Sequence, residues 1–243
     1  MKQAMIFAAG LGTRLKPLTD TMPKALVRVG GQPLIWHVIQ KLKQSGYERI
    51  VVNVHHFAGQ IVDYLKANDN FGLDIRISDE TSQLLETGGG IKKALPLFDP
   101  SEPILIHNVD ILSNLDLNAL PMDAPLLVVS ERKTKRYLMF DDDMRLQGWT
   151  NIETGELKGP VSNYQLSTIN CQLRKFAFSG IHVFHPLLAS LLDEWPERFP
   201  IMDFYLKACG SHLINGYEAN DLRLLDVGKL DTLDQAEAFV DGL

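Results

Sequence analysis

The stretch that decides the fold is Ala8-Ala9-Gly10-Leu11-Gly12-Thr13-Arg14-Leu15-Lys16-Pro17-Leu18-Thr19, continuing to Pro23-Lys24-Ala25-Leu26. It grows directly out of an apolar run, residues 4–9, that reads as a buried strand. Glycines at 10 and 12 remove side chains where backbone N–H groups would have to approach a phosphate closely. Two better-known phosphate loops do not fit. A dinucleotide fingerprint needs a third glycine where Leu15 stands, and a P-loop needs a Gly-Lys-Ser/Thr that the chain lacks.

Working outward, strand and helix patterns alternate. Pro33 suits a first helical residue, and Leu34, Ile35, Val38, Ile39 and Leu42 form one apolar helix face that Gly46 can close with a left-handed cap. Strands are expected at 49–54, 74–78, 103–107 and 125–130, with helices at 57–65 and 90–97. The alternation implies a mostly parallel sheet covered by helices on both faces, with ligands beyond the carboxyl ends of its strands. The loop 10–16 and Asn108-Val109-Asp110 both fall at such ends and are expected to line one site. The second half is less regular. A hairpin is expected around Asp141-Asp142-Asp143, strands at 176–184 and 223–225, and helices at 186–195, 203–209 and 230–240. No repeat or linker divides residues 1–243, so a single domain is expected.

With 45% hydrophobic and 22% charged residues the chain is globular rather than disordered. No apolar run approaches the roughly 20 residues of a membrane helix, and residues 4–9 are too short for a signal-peptide core. Cys171 and Cys209 have no C-x-x-C spacing, as expected of reduced thiols in the cytoplasm. The net charge of −6 speaks against nucleic acid as a partner. Arg132-Lys133-Lys135-Arg136 and Lys92-Lys93 are short clusters flanked by acids. An acidic chain that binds a triphosphate must place its positive charge locally, which singles out Arg14 and Lys24 beside the glycine loop. His55 and His56 have no Glu or Cys at zinc-ligand spacing and are not expected to bind metal.

The string GLGTRLKPLT at 10–19, followed by PKALVRVGGQPLI at 23–35, closely resembles the N-terminal signature of the sugar-phosphate nucleotidyltransferases. Further matches follow in order: Glu86-Thr87-Gly88-Gly89-Gly90, Asn108-Val109-Asp110, Phe178-Ser179-Gly180-Ile181 and Asp226-Val227-Gly228. The fold implied is the family's Rossmann-like α/β domain of the nucleotide-diphospho-sugar transferase type, a mixed, mostly parallel sheet flanked by helices. The resemblance implies that Ala9, Gly10, Leu11, Gly12, Thr13, Arg14 and Lys24 hold the nucleotide. Arg14 and Lys24 would also neutralise the leaving pyrophosphate. Glu86 and Gly88 belong to the loop that cradles the nucleobase, the alternative being the first turn of the next helix. Asn108 and Gly180 match positions that face the sugar phosphate. Asp110 and Asp226 resemble the family's two magnesium-binding aspartates, the alternative being that each caps the element after it. Lys229 stands where most relatives have threonine after the second aspartate.

The expected reaction joins a nucleoside triphosphate to a sugar 1-phosphate and releases pyrophosphate, with Mg²⁺ as cofactor and no protein nucleophile. The short type of the family suggests UTP with N-acetylmuramate 1-phosphate, used in cell-wall recycling. Alternatives are GTP with heptose or mannose 1-phosphate, CTP with phosphocholine, or a catalytically silent nucleotide-binding regulator. Retention of Arg14, Lys24, Asp110 and Asp226 argues against the last. Residues 151–171, polar and unpatterned before the strand bearing Gly180, are expected to cover the acceptor sugar. The sequence leaves the oligomeric state open.

Overall fold

A computed structural model of the chain describes residues 1–163 and 173–242. It begins with β1 (Lys2–Phe7), whose residues 3–7 are all buried, as a strand covered on both faces requires. After the glycine loop come a small hairpin, β2 (Arg28–Val29) and β3 (Gln32–Pro33), and helix α1 (Leu34–Gln44). Pro33 is the last extended residue before α1 rather than its first helical one, because it pairs with Arg28 in the hairpin. The five apolar residues expected on one face of α1 are all buried, and Gly46 adopts φ +79° just past its end.

The alternation continues with β4 (Tyr47–Val54), α2 (Ala58–Ala67), β5 (Asp74–Asp79), α3 (Glu86–Ala94), β6 (Ile104–Asn108), β7 (Ile111–Ser113) and β8 (Leu126–Ser130). The acidic turn joins β9 (Arg136–Phe140) and β10 (Leu146–Asn151) as an antiparallel pair, as expected. Then follow β11 (Leu157–Lys158), β12 (Arg174–Phe184), α4 (Ile201–Ala208), β13 (Asn215–Glu218), β14 (Leu224–Asp226) and α5 (Leu233–Asp241). The helix expected at 186–195 is a 3₁₀ segment, Pro186–Glu194. β13 had no expectation. Its sequence, Asn-Gly-Tyr-Glu, carries no apolar alternation, and it is held at the sheet edge by parallel pairing with β8.

Among the described residues ten strands form one mixed sheet in the order β11-β10-β9-β12-β6-β1-β4-β5, with β8 on β12 and β13 on β8. Its centre, β6-β1-β4-β5, is parallel. Two apolar clusters lie on its opposite faces. Ala4 and Ile6 of β1 pack with α1, α2 and α5, whereas Met5 and Phe7 pack with α3 and α4. β1 sits between β4 and β6, so the chain leaves it in opposite directions along the sheet. This is the switch point, where the loops after β1 and β6 splay apart and leave a crevice.

Candidate active site

That crevice is a cavity of about 570 Å³, lined along one wall by Ala9, Gly10, Leu11, Gly12, Thr13 and Arg14. The loop is locked from below. Gly12 has φ +63°, and a Cβ there would lie 2.8 Å from the Thr19 side chain and 3.1 Å from Lys24, so only glycine fits. Thr19 Oγ1 donates to the Gly12 carbonyl at 2.8 Å. Asn53, buried at the end of β4, accepts from the N–H groups of Ala8 (2.7 Å) and Ala9 (3.3 Å). The amides of Gly10, Leu11 and Gly12 find no protein acceptor among the described residues and are left to the cavity.

Asn53 in turn donates from Nδ2 to Glu80 Oε1 at 2.8 Å, and Glu80 Oε2 accepts from the Leu85 N–H at 3.1 Å. Glu80 is fully buried and also borders the cavity. Neither residue stood out in the sequence. An asparagine ending a strand and a glutamate in an acidic turn have no motif around them.

Lys24 and Asp110 meet across the cavity floor as an ion pair, both largely buried. Asp110 lies between β6 and β7. Asp226, at the end of β14, is brought beside it because β14 pairs with β7, Asp226 opposite Ile111, and the Val227 N–H donates to the Asp110 carbonyl at 2.9 Å. Burial, and then the charge of Asp110, push the Asp226 carboxyl up, while Lys24, Arg14 and Arg132 pull it back. Its Oδ1 is buried and accepts no hydrogen bond from the described residues. Among the described residues neither aspartate accepts from a backbone N–H, so the capping alternative does not describe them. Gly228 explains the rest of its motif. A Cβ there would lie 2.7 Å from Arg14 Nη2 and 2.6 Å from Asp226 Oδ1, so glycine lets the guanidinium rest against the backbone beside the carboxylate. Lys229 is exposed and lies outside the cavity wall; Thr232 Oγ1 donates to its carbonyl at 2.7 Å.

These residues fit a hard divalent cation. They offer two neighbouring carboxylates, Asp110 in the cavity lining and Asp226 beside it with an orphaned buried oxygen, where phosphate oxygens would complete the shell.

Two expected contacts are placed differently. Glu86 and Thr87 line the cavity, but Gly88 lies behind them, in the first turn of α3. A Cβ on Gly88 would lie 2.2 Å from the Phe199 ring, and one on Gly89 would lie 2.0 Å from the Glu197 carbonyl. The glycines admit the 197–199 segment rather than a flat ring. Gly180 likewise stands behind Asn108. It has φ +79° at the bulge that shifts the β12–β8 register, and a Cβ there would sit 2.8 Å from Asn108 Nδ2. Its missing side chain makes room for Asn108, which itself reaches the cavity.

A second cavity of about 440 Å³ adjoins the first, sharing Phe7, Thr87 and Asn108. Beyond that wall it is bordered by Arg132, Arg136, Trp149, Lys158 and Phe178. Arg132 and Arg136, which read as part of an acid-flanked cluster, therefore face a pocket. Lys158 comes from the segment expected to cover the acceptor; residues 164–171 of that segment lie outside the described residues.

Residues 3–124 match the family model described as nucleotidyl transferase. The chain is 50% identical over 111 residues to N-acetylmuramate alpha-1-phosphate uridylyltransferase of Caulobacter vibrioides, covering 45% of this chain and 46% of that protein. It is 36% identical to UTP–glucose-1-phosphate uridylyltransferase of a Synechocystis species, over 96% of this chain and 62% of the relative. The chain thus spans about half the length of the curated relatives it matches. Among solved structures, HddC of Yersinia pseudotuberculosis in complex with GMP-PN superposes with a TM-score of 0.76 at 20% identity, over 99% of this chain and 100% of that one. No helix among the described residues is long and apolar enough to cross a membrane.

Proposed function

The chain belongs to the nucleotidyl transferase family and has the nucleotide-diphospho-sugar transferase fold, and from that premise we propose that it joins a nucleoside triphosphate to a sugar 1-phosphate, releasing pyrophosphate. The observation that carries this reading is the pair of adjoining cavities. The first has a phosphate-binding loop, two cations and Asp110 in its lining, with Asp226 beside Asp110, and the second opens from it at Asn108.

In this reading the triphosphate lies along residues 9–14, its oxygens taking the amides of Gly10, Leu11 and Gly12. Arg14 and Lys24 face the leaving pyrophosphate, whose charge grows as the bond from the α-phosphorus to the bridging oxygen breaks. An oxygen of the acceptor phosphate forms the new bond to that phosphorus. Such a phosphate is already mostly dianionic at neutral pH, since its second pKa is about 6, so no protein base or nucleophile is required. Asp110 and Asp226 would hold Mg²⁺, which when bound supplies charge neutralisation and orientation for the phosphates. Lys24, already against Asp110, holds that carboxylate in place. Glu86 and Thr87 border the base end, and Asn108 stands where the two phosphates meet.

UTP and N-acetylmuramate 1-phosphate are the preferred pair, supported by the 50% and 47% identical relatives of that name. GTP with mannose 1-phosphate is the second reading, supported by a 34% identical relative over 82% of this chain. Use of a nucleoside triphosphate supports a cytoplasmic place, and the first pair supports a role in cell-wall recycling.

The test crosses UTP, GTP, CTP and ATP with a panel of sugar 1-phosphates and follows pyrophosphate. Asp110→Asn and Asp226→Asn should each lower Mg²⁺-dependent turnover by about two to three orders of magnitude, and the double variant should be little worse than either. All three should stay folded. Absence of pyrophosphate with every pair, or variants that keep normal turnover, would remove this reading.

A further inference from the structure

We propose that the acceptor carries a carboxylate on its sugar, away from the reacting phosphate, and that Arg136 and Lys158 hold it at the far end of the second cavity. This rests on the transferase reading above and says what class of acceptor the site selects.

The argument starts from where the phosphates must meet. Among the described residues the cavities share only Phe7, Thr87 and Asn108, so an acceptor phosphate that attacks a nucleotide in the first must lie at that wall. Among the described residues, the charged groups bordering the second cavity are Arg132, Arg136 and Lys158, against Asp203 alone. That is a local excess of cations in a chain of net charge −6. Arg132 belongs to the phosphate end. Its Nη2 donates to the Phe178 carbonyl at 3.2 Å, at the start of the β12 bulge whose Gly180 backs Asn108.

Arg136 and Lys158 sit elsewhere. They lie on β9 and β11, separated from Asn108 on β6 by β12 in the sheet order. No reacting group is expected there, so their charges serve another part of the ligand. Lys158 Nζ is 5.4 Å above the Trp149 ring, 3.6 Å from Asp203 and 3.8 Å from Glu156, contacts too loose to satisfy it. Between the two ends the wall is Leu138, Trp149 and Phe178, an apolar stretch suited to the carbon face of a sugar ring. At the far end the two cations have two acids near them, Asp203 in the cavity lining and Glu156 beside Lys158. With two acids this close, a second, dianionic phosphate is repelled more than a singly charged carboxylate, which favours the carboxylate. An Arg fork accepts a carboxylate through paired hydrogen bonds.

The experiment compares three acceptors with the preferred triphosphate: N-acetylmuramate 1-phosphate, N-acetylglucosamine 1-phosphate, which lacks the carboxylate, and a hexose 1,6-bisphosphate. The wild type should prefer the carboxylate-bearing acceptor in kcat/KM. In Arg136→Gln and in Lys158→Gln the ratio of acidic to neutral acceptor should fall about tenfold, the scale of one charge-assisted hydrogen bond. The fall should come through the acceptor KM, with the triphosphate KM little moved. Arg136→Lys should recover part of the ratio, and melting curves should match the wild type. Equal use of acidic and neutral acceptors, or variants that lose both in proportion, would overturn the carboxylate site while leaving the transferase reading intact. A preference for the bisphosphate would overturn the charge assignment. No pyrophosphate with any acceptor would remove the transferase reading, and this proposal with it.

Discussion

Asn53 shows what one side chain does for the phosphate loop. Its amide oxygen takes two backbone N–H groups of the loop's first residues, and its amide nitrogen holds Glu80. Asn53→Ala leaves those buried groups without partners, at a cost of about 2–3 kcal/mol. With the start of the loop freed, the KM for triphosphate should rise more than kcat falls, and a melt plus initial rates would check both. Unchanged stability and KM would mean that the loop is held by Gly12, Thr19 and Lys24 alone. Arg14, Lys24 and Asp110 were legible because they stand in a dense run of unusual residues or at a strand end. Asn53, Glu80 and the pocket-facing Arg132, Arg136 and Lys158 were not. Their roles come from neighbours distant in the chain, and no local pattern encodes those.

Helix α3 makes the same point at the scale of an element. The run Thr87-Gly88-Gly89-Gly90 depresses any helix signal, so the sequence placed the helix start at 90, four residues late. What rescues the first turn is tertiary. The N–H groups of Gly88 and Gly89 donate to the Phe199 carbonyl at 2.8 and 3.2 Å, Arg198 pairs with Glu86, and the Ile201 N–H donates to Thr87 Oγ1. The segment before α4 therefore caps α3, and the glycines allow it that close. Gly88→Ala puts a methyl into the Phe199 ring and should cost about 2–3 kcal/mol, a fall in Tm of about 5–10 °C at this chain length. Phe199→Leu should restore part of that loss in the double variant. Gly59→Ala, where a Cβ meets nothing within 4 Å, should leave Tm unchanged or slightly raised. A Gly88→Ala protein that melts with the wild type would show that the two elements are not in contact.

For the whole molecule, the parallel centre of the sheet and its alternation with helices followed from apolar periodicity. The joining of its halves did not. Asp110 and Asp226 come from opposite halves of the chain, and a separate two-stranded ribbon of β7 and β14, not the main sheet, brings them together. Three-residue strands are too short to show a period. The packed sheet also buries two histidines that nothing in the sequence marked. His182 lies edge-on to Tyr205, with centroids 5.5 Å apart, and both its ring nitrogens are unpartnered among the described residues. Burial pushes it down to about 3, and pushes His107 down to about 4, from the usual 6.5. Both are therefore neutral in the folded chain, whereas the unfolded chain protonates them below about pH 6.5. Between pH 6.5 and the folded values the unfolded state binds more protons, so stability is full above that window and is lost as pH falls through it. For His182 alone the loss reaches about 3 kcal/mol at pH 4. His182→Phe keeps the aromatic contacts and removes the proton site. Urea unfolding at pH 7, 6, 5 and 4 should then show a slope of stability against pH shallower by about 1.4 kcal/mol per unit below pH 6. An unchanged slope would mean that the ring is solvated or partnered in the folded chain, and the packing of β12 against α4 would have to be redrawn.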